Sequence, residues 1–203
     1  MTAVSTAGIG VHVRAMTPTP AQAQADFRAL LNALSRPGVL DAVGRADGPP
    51  ALTVAAGLAD VEVPTAVLTD SGDEHWARAL HLATSAPVAP PEAARMVVAL
   101  RPPTAAEIAA MRRGDALHPE HGTRLIAAVT TLGEEGVGLA LRGPGVPGTR
   151  RLRVAGLPRA VFAALAEANA GFPAGIDTFL VAGDGTVAGL PRSTRIEIEN
   201  GDD

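Results

Sequence analysis

The chain has 203 residues, 21 of them acidic and 17 basic for a net charge of −4, with 47% apolar and 19% charged residues. That balance excludes the clustered positive charge that nucleic acid or an anionic membrane surface selects, and no apolar run approaches the ~18 residues of a membrane span. Every basic residue is Arg, and Lys, Cys and Tyr are absent, which removes the pyridoxal phosphate aldimine, the phosphate-loop lysine, thiolate nucleophiles and metal sites, and cysteine-held iron–sulfur clusters.

A chain of this length buries roughly 70–75% of its extended surface in one core, and with 2% aromatic residues that core must be built from Leu, Val and Ala. Residues 20–199 are expected to form a single domain, with flexible tails at 1–19 and 200–203. Residues 1–20 lack the charged start and apolar stretch of a signal peptide, so the expected location is the cytoplasm.

The first element is a helix from Pro20 to Leu34. Thr19 stands at its N-cap, Phe27, Leu30, Leu31 and Leu34 form its inward stripe, and Pro37-Gly38 stops it. Val39–Val43 reads as a short strand, Leu52–Ala59 as helix, and Thr65–Thr69 as strand. Helical spacing resumes over Asp73–Ala83 until the prolines at 87, 90 and 91 force a connection. Met96–Leu100 is a buried strand, and Thr104 with Glu107 forms a capping box for a helix reaching Arg113.

In the second half, strands Thr123–Leu132 and Val137–Leu141 flank a turn at Gly133–Gly136, and Arg151–Ala155 is a weaker strand. A helix over Pro158–Ala170 turns Val161, Phe162 and Leu165 inward and takes Gly171 as its C-cap. Thr178–Ala182 and Thr186–Leu190 form a hairpin around Asp184-Gly185, and Arg195–Glu199 finishes the sheet. This order predicts an α/β fold with a mixed sheet covered by helices on both faces.

Several clusters could carry chemistry. His118-Pro119-Glu120-His121 puts two imidazoles and a carboxylate close in sequence. It reads first as a solvated loop, because Pro119 opposes a regular helix presenting both rings and a zinc site usually takes a further ligand from the fold. His75 and His81 fall on different faces of their helix and read as surface residues. The Gly- and Arg-rich run from Leu141 to Arg151 reads as a turn between strands, with a phosphate cradle using Arg142 as the alternative. In Pro191-Arg192-Ser193-Thr194 the proline removes a ladder donor. The break either turns the chain into its last strand or holds Arg192 rigidly at a cleft or subunit contact.

The ribbon flanked by "FPAGID" (Phe172–Asp177) and "LPRST" (Leu190–Thr194) resembles the C-terminal signature of the PhnH family, the H subunit of the bacterial carbon-phosphorus lyase system. "FRALLNALSRPG" (Phe27–Gly38), "SAPVAPPEAA" (Ser85–Ala94) and "GPGV" (Gly143–Val146) are similar to its opening and middle, in the right order, so the resemblance spans residues 20–199. Leu82-Ala83-Thr84 stands where the family often has Phe-His-Thr, so no role for that His carries over. The common Thr-Thr is Ser193-Thr194 here, and His118 and His121 fall outside the family pattern.

The resemblance implies a three-layer α/β/α fold like the large domain of pyridoxal-phosphate-dependent transferases, without a cofactor. It also implies a homodimer that joins the G, I and J subunits and supports formation of alpha-D-ribose 1-methylphosphonate 5-triphosphate from ATP and methylphosphonate. No catalytic residue is assigned, and none for a cofactor or metal. Phe172, Pro173, Gly175, Asp177, Pro191, Arg192, Ser193, Thr194 and Arg142 are the candidates for a subunit interface. Alternatively, Arg192, Ser193, Thr194 and Arg142 surround ATP or a phosphonate.

Overall fold

The computed structural model describes Val13, Met16, residues 18–44 and residues 48–199. The expected flexible tails, apart from Val13, Met16, Pro18 and Thr19, lie outside the described residues.

A six-stranded mixed sheet forms the centre. It contains β1 (Asp41–Ala42), β2 (Thr65–Leu68), β3 (Met96–Ala99), β4 (Arg124–Val129), and the later strands β7 (Asp177–Ala182) and β8 (Thr186–Leu190), in the order β1-β8-β7-β4-β3-β2. β2, β3, β4 and β7 are mutually parallel, while β8 at one side pairs antiparallel with both β7 and β1. Alternation along each strand divides the core. Met96, Val98, Ile126, Phe179 and Val181 face one apolar cluster, and Val97, Ala99, Leu125, Ala127 and Leu180 face the other.

On the first face lie α1 (Pro20–Ser35), α2 (Pro50–Ala56) and α3 (Glu74–Thr84). On the second lie α4 (Ala105–Ala110), α5 (Arg159–Ala168) and a three-stranded antiparallel sheet of β5 (Thr131–Gly143), β6 (Val146–Ala155) and β9 (Arg195–Ile198). The expected α/β class, with a mixed sheet and helices on both faces, is what the structure has. The core is rich in Ala, Val and Leu, as the shortage of aromatic residues requires.

Local signals hold where the chemistry is specific. The Thr19 hydroxyl caps α1 by accepting from the Gln22 amide, and the Thr104–Glu107 box is formed in both directions. Asp184-Gly185 turns the β7–β8 hairpin with Gly185 at φ +90°. The inward stripe of α1 differs from expectation. Ala29, Leu30 and Ala33 are buried, whereas Phe27 and Leu31 are each 52% exposed. Small residues win because α1 lies directly on β8 at Gly189, where an added Cβ would sit 2.5 Å from the Ala33 backbone.

Other differences have similar tertiary causes. α4 stops at Ala110 instead of Arg113, because Arg113 bridges to Gly122 and Arg112 accepts from Thr123. Gly133–Gly136 is not a turn between strands but a bulge inside β5, since Leu132 and Val137 both lie opposite Val154. The strand expected over 123–132 breaks at Thr130, where the chain leaves the central sheet for the second one. β9 joins β5 and so does not finish the central sheet. The C-cap of α5 is Asn169, not Gly171.

Candidate functional site

The family-like segments meet at one place because of strand register. Asp177 opens β7, and Thr178 lies opposite Leu190, the last residue of β8. The hairpin therefore returns the chain to Asp177 just as Pro191 ends the ladder. A turn closed by Thr194 N–H to the Pro191 carbonyl at 2.8 Å follows. The proline marks the end of pairing, and Arg192 is aimed back at the hairpin base.

Arg192 uses nearly all its donors there. Its backbone N–H donates to Asp177 Oδ1 at 2.9 Å, and its Nε and Nη2 donate to Oδ2 at 3.1 and 2.7 Å. Nη1 donates to the carbonyl oxygens of Pro119 and, at 3.4 Å, Pro173. The two charged side chains are only 14% and 24% exposed. One guanidinium thus ties together the hairpin, the FPAGID segment and the loop before β4, which is the planar, multidentate task that suits Arg over Lys.

Asn169 secures the FPAGID segment from its other end. Its side-chain amide donates to the Ile176 carbonyl at 3.1 Å, and its Oδ1 accepts from the Ile176 amide at 2.7 Å. The loop between them contains the cis Phe172–Pro173 peptide. Gly175 donates to the Arg113 carbonyl at 2.7 Å. A Cβ at Gly175 would fall 2.6 Å from Asn169 Oδ1 and 2.8 Å from Arg192 Cβ, so only Gly fits. Phe172 is left 65% exposed at the tip.

Two cavities share Arg192 as a wall. One, of about 350 Å³, is lined by Asn169, Phe172, Arg192, Ser193, Thr194 and Arg195 among others. The second, of about 300 Å³, is lined by Arg95, Glu120, Arg124, Asp177 and Arg192. The Thr194 hydroxyl is buried with no hydrogen-bond partner among the described residues, as is that of Thr178 in β7. Both cavities lie at the amino ends of the parallel strands. Open α/β sheets bind their ligands at the opposite, carboxyl ends.

Arg142 is not part of this assembly. It lines neither cavity, and its Nε and Nη1 donate to Thr149 Oγ1 at 2.8 Å and Glu197 Oε1 at 3.3 Å. Arg150 donates to the Pro37 carbonyl and Arg151 to Glu199. The Leu141–Arg151 run is therefore a hairpin turn with paired arginines. His75 and His81 are partly exposed, and His81 Nδ1 lies 2.9 Å from the Ala86 carbonyl.

The histidine loop abuts the second cavity. Asp115 Oδ1 accepts from the amides of Leu117 and His118, both at 2.8 Å, and these bonds, His118 first, hold its carboxyl below the ordinary value. The Glu120 carboxyl is also lowered, by its own backbone N–H first and then by His118. Pro119–His121 forms a single 3₁₀ turn that brings the two imidazoles to 5.0 Å between centroids, 19° from parallel. The sequence reading missed Asn169, although an Asn opening the FPAGID segment was visible. It also missed Arg95 and Arg124, which only the parallel register brings to the hairpin base.

Comparison with known proteins gives one family and two named relatives. The model of the family described as bacterial phosphonate metabolism protein (PhnH) matches residues 15–197. A protein of Rhizobium meliloti (strain 1021), named alpha-D-ribose 1-methylphosphonate 5-triphosphate synthase subunit PhnH, is 29% identical over 187 residues, 88% of this chain and 92% of the relative. A protein of Stutzerimonas stutzeri, named for a C-P lyase subunit and designated HtxG, is 39% identical over 88 residues. That match covers 43% of this chain and less than half, 44%, of the relative. Among the described residues no helix is long and apolar enough to cross a membrane.

Proposed function

The chain belongs to the PhnH family of bacterial phosphonate metabolism proteins, and from that premise we propose that it is an assembly subunit of a C-P lyase complex. In this reading it is a cytoplasmic homodimer that joins the G, I and J subunits. It supports formation of alpha-D-ribose 1-methylphosphonate 5-triphosphate from ATP and methylphosphonate without supplying catalytic groups. Its sheet would correspond to the large domain of pyridoxal-phosphate-dependent transferases, but with no Lys in the chain an aldimine cannot form.

The observation that carries the reading is the commitment of Arg192. A guanidinium whose donors already meet Asp177 and two backbone carbonyls has little left for a substrate anion. What it does is fix the frame from which Phe172 projects. Exposed aromatic side chains on a rigid frame are typical interface anchors, because they bury much area at little entropic cost. Co-expression with the G, I and J subunits, followed by size-exclusion chromatography with mass detection, tests this. A single stoichiometric complex is expected from the wild-type chain and a free dimer from Arg192→Ala. A wild-type dimer that ignores the other subunits would overturn the reading.

One observation favours the second reading, an anion-binding subunit using Arg192, Ser193 and Thr194. Thr194 lines the larger of the two cavities, its hydroxyl has no partner among the described residues, and a buried hydroxyl without a partner is costly unless a ligand or water satisfies it. Calorimetry with ATP and with methylphosphonate decides. Saturable binding that Thr194→Val weakens would establish the anion site. Absence of binding to both the dimer and the assembled complex would remove it.

A further inference from the structure

We propose that His118, Glu120 and His121 form a binding site for a borderline transition metal ion such as Zn²⁺. Among the described residues they are the only group of three potential ligands whose donor atoms all lie within 4.8 Å of one another.

The spacing fits a metal closely. Glu120 Oε1 lies 3.4 Å from His118 Nδ1 and 3.7 Å from His121 Nε2. Around a tetrahedral ion with bonds of about 2.0–2.1 Å, ligand atoms stand roughly 3.3 Å apart. Two edges of the tetrahedron are therefore already near their final length. The third closes by rotation of the two rings, whose side chains are 58% and 47% exposed and have no buried packing to break.

The backbone beneath the ligands is held on several sides. Asp115 fixes the amide of His118, Arg192 grips the carbonyl of Pro119, and Arg95 Nη2 donates to the carbonyl of Glu120 at 3.3 Å. A carrier loop tied at three successive residues limits the ordering cost of bringing three ligands to one ion. Two imidazoles and one carboxylate suit Zn²⁺, Ni²⁺ or Cu²⁺ and give Mg²⁺ and Ca²⁺ too few oxygens. Three protein ligands leave the fourth position to water.

The bland alternative is that Glu120 simply sits between two solvated histidines. Such exposed pairs are screened by water and hold no ion. Isothermal titration of the untagged full chain with ZnCl₂ separates the two. One equivalent per chain is expected, with no saturable heat from MgCl₂. His118→Ala and His121→Ala should each weaken Zn²⁺ by at least the roughly 10- to 100-fold that loss of an outer-shell partner costs. Glu120→Gln keeps the size and fold of the loop and should weaken it as well, so the test survives if a His variant folds poorly. His75→Ala, remote from the loop in sequence, should change nothing. No saturable Zn²⁺ binding, undiminished binding by His118→Ala/His121→Ala, or equal loss in His75→Ala would each overturn the site.

Discussion

Replacing Asp177 by Ala removes three hydrogen bonds to Arg192 and leaves a guanidinium that is 14% exposed without its counter-ion. Exposed ion pairs contribute about 0–1 kcal/mol, whereas removing one partner of a buried pair costs about 3–5 kcal/mol. The burial of this pair places it nearer the second limit, so a loss of about 2–4 kcal/mol is expected. In a domain of this size each kcal/mol lowers Tm by roughly 2–4 °C, which gives a fall of about 5–15 °C. Asp177→Asn keeps an acceptor for the Arg192 amide but can turn its own NH₂ toward the guanidinium donors, and should cost less than Ala. Urea unfolding followed by circular dichroism measures all three variants, Arg192→Ala included, with m unchanged. Asp177→Ala/Arg192→Ala should be less destabilised than the sum of the singles by about 1–3 kcal/mol. An additive cycle, or Asp177→Ala within about 0.5 kcal/mol of wild type, would show the pair to be solvent-screened and refute the latch.

Glu107 should make stability pH-dependent. Hydrogen bonds from Arg101, aided by the amide and hydroxyl of Thr104 and opposed by desolvation, lower its pKa from 4.5 to about 2. A depressed carboxyl stabilises above its unfolded value and loses that contribution as pH falls from about 4.5 toward 2. The shift corresponds to roughly 3 kcal/mol, and exposure of a quarter of the side chain, 26%, reduces the expected effect to about 1–2 kcal/mol. Thermal melts of Glu107→Gln should flatten across that window, and a profile parallel to wild type would contradict the assignment. Gly189→Ala should cost about 2 kcal/mol or more by forcing α1 off β8. Gly183→Ala, with nothing within 4 Å, should stay within about 0.5 kcal/mol by chemical denaturation. Equal effects would mean that α1 adapts freely. Phe172→Ala should change stability by less than about 0.5 kcal/mol yet weaken partner co-elution at least tenfold, whereas an unchanged complex would exclude Phe172 as an anchor.

Most of the fold could be read where a local rule has a single structural solution. Thr19 before Pro20, the Thr104–Glu107 box and Asp184-Gly185 each satisfy backbone groups that have few other partners. Errors came where two surfaces competed for one segment. Phe27 and Leu31 have the periodicity of a buried stripe, but close approach of α1 to Gly189 selects Ala29 and Ala33. Glycines in β5 look like a turn because nothing local reveals that Val154 faces both sides of a bulge. The division into two sheets was likewise hidden, since Ile196 and Ile198 alternate in the same way whichever sheet receives them.

The candidate site was legible as stiffness and illegible as bonding. Prolines and glycines in FPAGID and LPRST announce fixed backbone, and Arg192 and Asp177 announce charge. That the charge is spent inside the protein follows only from the pairing of Thr178 with Leu190, which sets the one beside the other. This pairing also explains why Arg142, equally basic and next to equally permissive glycines, takes no part: it is on β5, opposite Arg195, and donates across its own sheet. A rigid loop base with its cation internally neutralised, placed at the amino edge of the parallel strands, is what the proposed assembly role would use. Catalytic arginines need donors left open toward the space where charge develops. Here four of those donor contacts end on Asp177, Pro119 and Pro173. The unsatisfied hydroxyls are instead those of Thr178 in β7 and of Thr194, and Thr194 lines the cavity across Arg192 from Asp177 and Arg124.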